Sequence, residues 1–334
     1  MKFEEIKRRG YVTEPTPLVS LERFSKALGS VHIFMKRDDL LPYGGNKLRK
    51  MDYILEDAAE KKADVLITAS TNQCCNNSIM ILLGNREGME SRLIMETWGD
   101  PSYEYKSAVN YEMFRLSGAK DVKVTAEPPS GPVDTMKIAA EEAEKVKTEG
   151  KIPYFVARGG AGPLGACGYV GCAGEIRDQT KALDISALIC PCGIGGTQAG
   201  LIEGFRHFGV TIPVYGIGVT GKTEEAMEES VLNQTNELSA FLDDGDVKDD
   251  LIHCIDGYAG EGYGKASSEQ YEIMKLLAET EGILTDPVYS GKALYGLAGM
   301  IRKGMFRDGS NVIFLHTGGL LLYYDFSLLK GIGE

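Results

Sequence analysis

Short apolar runs that open into small-residue turns and then into helical periodicity recur along this chain. That alternation limits its fold more than any other feature. Asp64-Val65-Leu66-Ile67-Thr68 runs into a polar loop over residues 69–78 and then an apolar helix over 79–83. Leu93-Ile94-Met95-Glu96 precedes a helical stretch at 103–117, and Val122-Lys123-Val124 precedes another at 136–148. Ala187-Leu188-Ile189-Cys190 ends in a glycine-rich turn that leads into a helix over 201–207. Strand, turn and helix in this order make βαβ units, so the expected fold is α/β with mostly parallel sheets flanked by helices. At 334 residues the chain exceeds one typical domain, and two lobes or one large α/β domain are expected.

Composition narrows the partners. The 36 basic and 48 acidic side chains leave a net charge of −12, which argues against nucleic acid or an anionic membrane surface. No run of apolar residues is long enough to span a bilayer, and Met1-Lys2-Phe3-Glu4-Glu5 is no signal peptide, so a cytoplasmic location is expected. The seven cysteines are an odd set. Cys190-Pro191-Cys192 has no second pair at zinc-ribbon spacing, so reduced thiols and no metal are expected rather than a metal site.

One turn stands out. Val31-His32-Ile33-Phe34-Met35-Lys36 reads as a buried strand and leads to Leu41-Pro42-Tyr43-Gly44-Gly45-Asn46-Lys47-Leu48-Arg49-Lys50. Met51, Ile54, Leu55, Ala58 and Ala59 then recur at helical spacing. Lys47 therefore stands at or just inside a helix N-terminus, where the macrodipole favours negative charge. Such a lysine either points into solvent within a Lys/Arg-rich first turn or has a task that outweighs the field. One such task is to carry an aldehyde cofactor as a Schiff base, which needs an amine of depressed pKa.

A second turn, Gly193-Ile194-Gly195-Gly196-Thr197-Gln198, follows the strand at 187–190. It fails as a dinucleotide fingerprint, because position 198 is glutamine and no acidic residue follows about 20 positions on. Gly195, Gly196 and Thr197 instead offer bare backbone amides and a hydroxyl at a helix start, which suits one terminal phosphate. A turn that serves packing alone is the other reading. Arg158-Gly159-Gly160-Ala161-Gly162-Pro163-Leu164-Gly165 is too glycine-rich for regular structure, and a helix follows over 168–177. Tyr263 between two glycines, Tyr289 before Ser290, and His316 are each either structural or active.

Together these segments resemble the D-cysteine desulfhydrase and 1-aminocyclopropane-1-carboxylate (ACC) deaminase family of the fold type II, tryptophan synthase β-like, pyridoxal-phosphate enzymes. The matches are Thr16-Pro17-Leu18, Lys36-Arg37-Asp38-Asp39-Leu40, Gly44 to Lys50, Gly159-Gly160 with Gly168-Tyr169-Val170, and Gly195-Gly196-Thr197-Gln198-Ala199-Gly200-Leu201. They continue with Gly262-Tyr263-Gly264, Gly282-Ile283-Leu284, Asp286-Pro287-Val288-Tyr289 and His316-Thr317-Gly318-Gly319. The resemblance implies a large cofactor-binding domain over residues 1–48 and 157–334, and a smaller one over 49–156 that closes on the substrate. It implies pyridoxal 5'-phosphate, a small amino-acid substrate and a homodimer. Lys47 would bear the cofactor and shuttle the substrate's α-proton. Gly195, Gly196 and Thr197 would hold the phosphate, with Asn46, Gly193 and Thr317 also at the cofactor. Ser290 would meet the pyridine nitrogen with a neutral hydroxyl, while Tyr263 and Tyr289 line the substrate side as catalytic candidates.

The chain departs from the family at one loop. The usual Gln-Ser-Asn-His is here Gln73-Cys74-Cys75-Asn76, so Cys74 takes the catalytic or substrate-gripping serine's place and Cys75 that of the asparagine beside the ring. A shifted reading lets Asn72 or Asn76 supply the amide. Ile194 stands for the usual serine of the phosphate loop, and Arg158 for a smaller residue. ACC deaminases tend to carry glutamate where Ser290 stands and leucine where Thr317 stands. The expected activity is a lyase that eliminates a β-substituent from a D-cysteine-like amino acid. Its rivals are ACC ring opening, a relative retooled for another amino acid, and a non-catalytic binder of phosphate ligands.

Overall fold

The strand β10 (Asn311–His316) shows why the apolar runs are continuous: Val312 and Phe314 enter one buried cluster, Ile313 and Leu315 another. A strand covered on both faces takes an apolar residue at every position. The computed structural model describes residues 1–29, 31–70, 74–96, 109–124 and 135–319. The chain forms two compact units: Met1–Ile6, Val12–Asn46 and the chain from Gly162 onward make one, and Lys7–Tyr11 with Lys47–Ala161 the other.

In the larger unit six strands stand in the order β1 (Leu18–Ser20), β2 (His32–Arg37), β10, β7 (Ile185–Cys192), β8 (Val214–Gly218) and β9 (His253–Ile255). Every neighbouring pair is parallel except β1 with β2. Helices α1 (Glu22–Leu28), α9 (Ser268–Glu281) and α10 (Ser290–Arg302) cover one face with Phe24, Leu277 and Leu297. Helices α6 (Pro163–Gln179), α7 (Gly196–His207) and α8 (Glu224–Leu242) cover the other with Tyr169, Phe205 and Val231. The smaller unit has four parallel strands in the order β5 (Lys120–Val124), β4 (Glu90–Glu96), β3 (Val65–Ser70) and β6 (Pro153–Phe155). Its helices are α2 (Lys47–Glu60), α3 (Cys75–Arg86), α4 (Val109–Leu116) and α5 (Thr135–Thr148), and its core holds Val65, Ile67, Ile94 and Val146. This is the α/β architecture expected from the alternation.

Both sheets reverse their strand order once. In the larger unit the order runs from β7 outward to β9, while β10 returns on the other side of β7. In the smaller unit it runs from β3 to β5, and β6 returns beside β3. Crevices at the carboxyl ends of such strand pairs are where open α/β sheets bind ligands. The turn after β7 holds Gly193 to Gly195, and Thr317 follows the end of β10; the segment after β3 leads to Cys74, and β6 leads to Arg158–Gly160.

Three helices begin earlier than their sequences suggest. α3 starts at Cys75 inside the polar stretch, α6 at Pro163 inside the glycine-rich one, and α7 at Gly196 rather than at 201. Pro163 lacks an N–H that a first turn would leave unpaired anyway, which suits the helix start. Glycine in α7 has a packing cause. A Cβ on Gly200 would lie 2.4 Å from the Ala166 carbonyl oxygen, and one on Gly204 2.6 Å from the Ala173 Cβ and 2.8 Å from the Val170 Cα. The backbones of α6 and α7 thus meet with no room between them. Among the described residues no helix is long and apolar enough to cross a membrane.

Because backbone cannot swing aside as a side chain can, Gly204→Val is expected to cost about 3 kcal/mol through overpacking. Urea unfolding checks this, as a lower midpoint at unchanged slope. A variant as stable as the parent rules out the backbone-to-backbone contact.

Candidate active site

In the smaller unit Lys47 is the first residue of α2, as its sequence context suggested. Its Nζ donates to the Gly159 carbonyl at 3.1 Å, in the turn after β6. Burial holds its pKa below the ordinary lysine value, and the Cys74 and Cys75 thiols oppose that shift. A half-buried amine with one neutral partner is poised as a nucleophile, because desolvation favours its uncharged form. Lys50, one turn along on the same helix face, is buried. Burial and the nearby Lys47 charge drive its pKa well below the ordinary value, and it has no hydrogen-bonded or ionic partner among the described residues.

Cys74 caps α3 and is buried; Cys75 is half-buried at its first position. Asn76 is wholly buried, and neither amide atom has a hydrogen-bond partner among the described residues. A Cβ on Gly160 would sit 3.2 Å from Lys50 and 3.4 Å from Asn76 Oδ1. An amine and an amide, both without partners among the described residues, thus converge on one bare turn. Native proteins rarely leave buried polar groups unpaired, so such a cluster fits an anionic or polar ligand. Asn72 and Gln73 lie outside the described residues.

In the larger unit the turn after β7 enters α7 through Gly195, whose φ of 107° lies in the left-handed region. The first amides of α7 have no carbonyl behind them within the helix, and no side chain at Gly195 or Gly196 covers them. Thr197 adds a buried hydroxyl 3.5 Å from the Asn46 side-chain nitrogen. The Asn46 amide donates to the Thr317 carbonyl at 2.9 Å. A Cβ on Gly45 would lie 2.3 Å from that same oxygen, so only glycine lets the turn reach the end of β10. Gly193 passes beside Tyr289, since its Cβ would come 3.8 Å from the ring. Ile194 is exposed, and its carbonyl accepts from Ser230 and Gln234 on α8, so its backbone anchors the turn where its side chain cannot.

Ser290 opens α10 and is fully buried. Its hydroxyl bonds to Asp286 and lies 3.2 Å from the Gly318 carbonyl. Asp286 also accepts from the backbone amides of Val288, Tyr289 and Ser290 at 2.8, 2.6 and 2.9 Å, so one carboxylate shapes the whole turn. The Tyr263 and Tyr289 hydroxyls share a 2.5 Å hydrogen bond, with rings edge to face at 5.7 Å. Tyr263 is half-buried rather than displayed between its glycines. His316 Nε2 donates to the Leu284 carbonyl and Nδ1 accepts from the Gly318 amide, which makes it a structural residue. Lys50 and Asp286 were missed in sequence. Lys50 was findable from its spacing of three to Lys47, and Asp286 from an acidic residue that precedes a helix start by four.

Each set, taken by itself, suits one part of pyridoxal phosphate. The smaller unit offers a half-buried amine of lowered basicity for an aldehyde, and the larger offers uncovered helix amides for a phosphate. Comparison with known proteins agrees. Residues 11–318 match the family described as pyridoxal-phosphate dependent enzyme. A putative ACC deaminase of Pyrococcus abyssi is 35% identical over 94% of this chain and 93% of its own. An ACC deaminase of a Bradyrhizobium species (strain BTAi1) is 34% identical over 96% of each. The crystal structure of an ACC deaminase homologue superposes with a TM-score of 0.86 at 32% identity, covering 98% of this chain and 97% of that one. The chain belongs to the pyridoxal-phosphate-dependent enzymes and, within them, to the family of the ACC deaminases: it is a lyase or deaminase that uses pyridoxal phosphate.

Proposed function

We propose that this enzyme removes a β-substituent from a small, D-cysteine-like amino acid and releases a keto acid and ammonia. The observation that carries the reading is Lys47, a half-buried amine of lowered basicity at a helix start. When bound, pyridoxal phosphate accepts the electron pair left at the substrate's α-carbon. Lys47 holds the cofactor and moves the α-proton. The α7 amides at Gly196 and Thr197, with Gly193, Gly195, Asn46 and Thr317, hold the cofactor from the larger unit. Ser290 presents a neutral hydroxyl to the ring nitrogen, which limits delocalisation into the ring and suits prompt loss of a β-leaving group. The Tyr263–Tyr289 pair supplies a proton to the departing group. Lys50 and Asn76 take up anionic and polar oxygens of the ligand, and Cys74 and Cys75 replace the family's serine and asparagine beside them. A homodimer in the cytoplasm completes the reading.

Ring opening of ACC is the second reading, and the names of the relatives favour it. Ser290 and Thr317 weigh toward desulfhydration. The products separate the two. D-cysteine and water give pyruvate, hydrogen sulfide and ammonia, whereas ACC and water give 2-oxobutanoate and ammonia. A panel of both enantiomers of cysteine and serine together with ACC, read by keto-acid identity, is expected to give pyruvate from D-cysteine as the fastest reaction. Faster 2-oxobutanoate release from ACC overturns the first reading in favour of the second.

Lys47→Ala is expected to lower turnover by at least about 10³-fold while leaving thermal unfolding unchanged, because the amine serves chemistry and not packing. Borohydride reduction of the loaded parent, followed by peptide mapping, should mark Lys47 and not Lys50. A label on Lys50 reverses the two roles.

Cysteine hydrogen-bonds weakly as donor and acceptor, whereas serine and asparagine do so strongly. The double variant Cys74→Ser with Cys75→Asn should therefore raise activity on D-cysteine relative to the best native substrate. An unchanged substrate profile leaves the two thiols as packing alone.

A further inference from the structure

Lys292 repeats the anomaly of Lys47 in the larger unit. It is fully buried in the first turn of α10, and it makes no ion pair among the described residues. Its ammonium donates instead to three backbone carbonyls: Gly262 at 2.5 Å, Ala259 at 2.6 Å and Val219 at 3.3 Å. An ammonium has three N–H donors, so three acceptors match its charged form with none left over. Burial lowers its pKa to about 8, with Asp286 opposing the shift, so the charged form still prevails at neutral pH. An apolar side chain of similar length avoids the cost of desolvating a charge. A lysine here therefore does something that packing does not require. Converging carbonyl oxygens are how proteins replace the water around a monovalent cation.

The carbonyls belong to two segments. Val219 follows the end of β8, and Ala259 and Gly262 form the turn after β9. Gly262 has a φ of 124°, a conformation that only glycine holds without strain. Its carbonyl shares a rigid peptide plane with the Tyr263 nitrogen, so a bond to that oxygen orients the tyrosine's backbone directly. The Tyr263 hydroxyl in turn meets Tyr289, three residues before Lys292. We propose that Lys292 is a tethered monovalent cation that holds the turn at 259–262 and thereby sets the Tyr263 hydroxyl against Tyr289. Lys292 is thus a positioning residue, and its effect on turnover rests on the proton-donating role proposed for the tyrosine pair.

Small cations test this directly in the holoenzyme. Lys292→Ala opens room for a free ion; Lys292→Met fills the space without charge. Both are purified in ammonium chloride and exchanged into tetramethylammonium chloride at equal ionic strength, with circular dichroism to confirm folding. In tetramethylammonium, Lys292→Ala is expected to lose about 10²-fold in kcat. Amide hydrogen exchange across 259–264 should quicken while the rest of α10 stays protected. Ammonium or potassium should restore both protection and kcat in Lys292→Ala and neither in Lys292→Met. Losses in Lys292→Ala that ammonium leaves unchanged overturn the proposal, since the lysine then only fills space. Parent-like exchange and turnover in Lys292→Met overturn it too. Tyr263→Phe separates the two ideas. If it keeps full turnover, the tyrosine's proposed role fails, while the ammonium response of hydrogen exchange still decides the cation cage.

Discussion

The approach of Gly45 to the end of β10 is the contact on which the site depends. The Asn46 amide reaches the Thr317 carbonyl only because residue 45 has no side chain, where a Cβ would lie 2.3 Å from that oxygen. An isolated bridge between Gly45 and Gly318 fixes the same point. Asn46, the last residue of the larger unit before α2 begins, is thus set by a backbone contact with no tolerance. A cofactor-binding turn held to within a fraction of an ångström is served better by such a contact than by a side-chain bond.

Three buried lysines and the half-buried Lys47 show how burial alone misleads. Lys36 is wholly buried, yet its ammonium meets the Thr16 carbonyl at 2.7 Å, Glu175 at 2.6 Å and Gln179 at 2.9 Å, so charge and donors are both satisfied. That is a structural lysine. Lys292 has its donors matched but no counter-ion within bonding distance among the described residues. Lys47 has one carbonyl and Lys50 no partner among the described residues. The unmet demand rises along this series, and so does the case for a ligand, because an unpaired buried cation costs several kcal/mol unless something supplies its missing partners.

The alternation of strand, turn and helix was enough to read the parallel sheets, whereas the Gly45-Asn46-Lys47 turn marked the amine as out of place and left its role to the resemblance. Helix starts were harder. Cys75, Pro163 and Gly196 stand in stretches whose small or polar residues look like loop, yet a first turn that must leave its amides open to a ligand is built from such residues. β8 was invisible for a tertiary reason. A Cβ on Gly216 would lie 1.9 Å from the Gln198 side chain, and one on Gly218 2.6 Å from Met227, so two of its five residues are glycine and the strand signal is lost. Asp286 and Lys292 escaped notice because each acts on backbone groups, which leave no mark in the residue types around them.

The cysteine pair changes what the rest of its loop must do. In the family's pattern a hydroxyl and an amide stand at the head of this helix, and both bond strongly. Here two thiols stand there, and thiols neither donate nor accept well. The demand of a polar ligand does not fall, so it shifts to groups that can meet it. Asn76, one residue on, is buried with both amide atoms unpartnered among the described residues, and Lys50 beside it holds a desolvated amine. Leaving those groups unsatisfied would cost more than any hydrogen bond the thiols failed to make. On the reading proposed for this loop, the thiols at residues 74 and 75 and the polar groups at residues 50 and 76 belong together: what the cap of α3 cannot bond falls to Asn76 in its first turn and to Lys50 on α2.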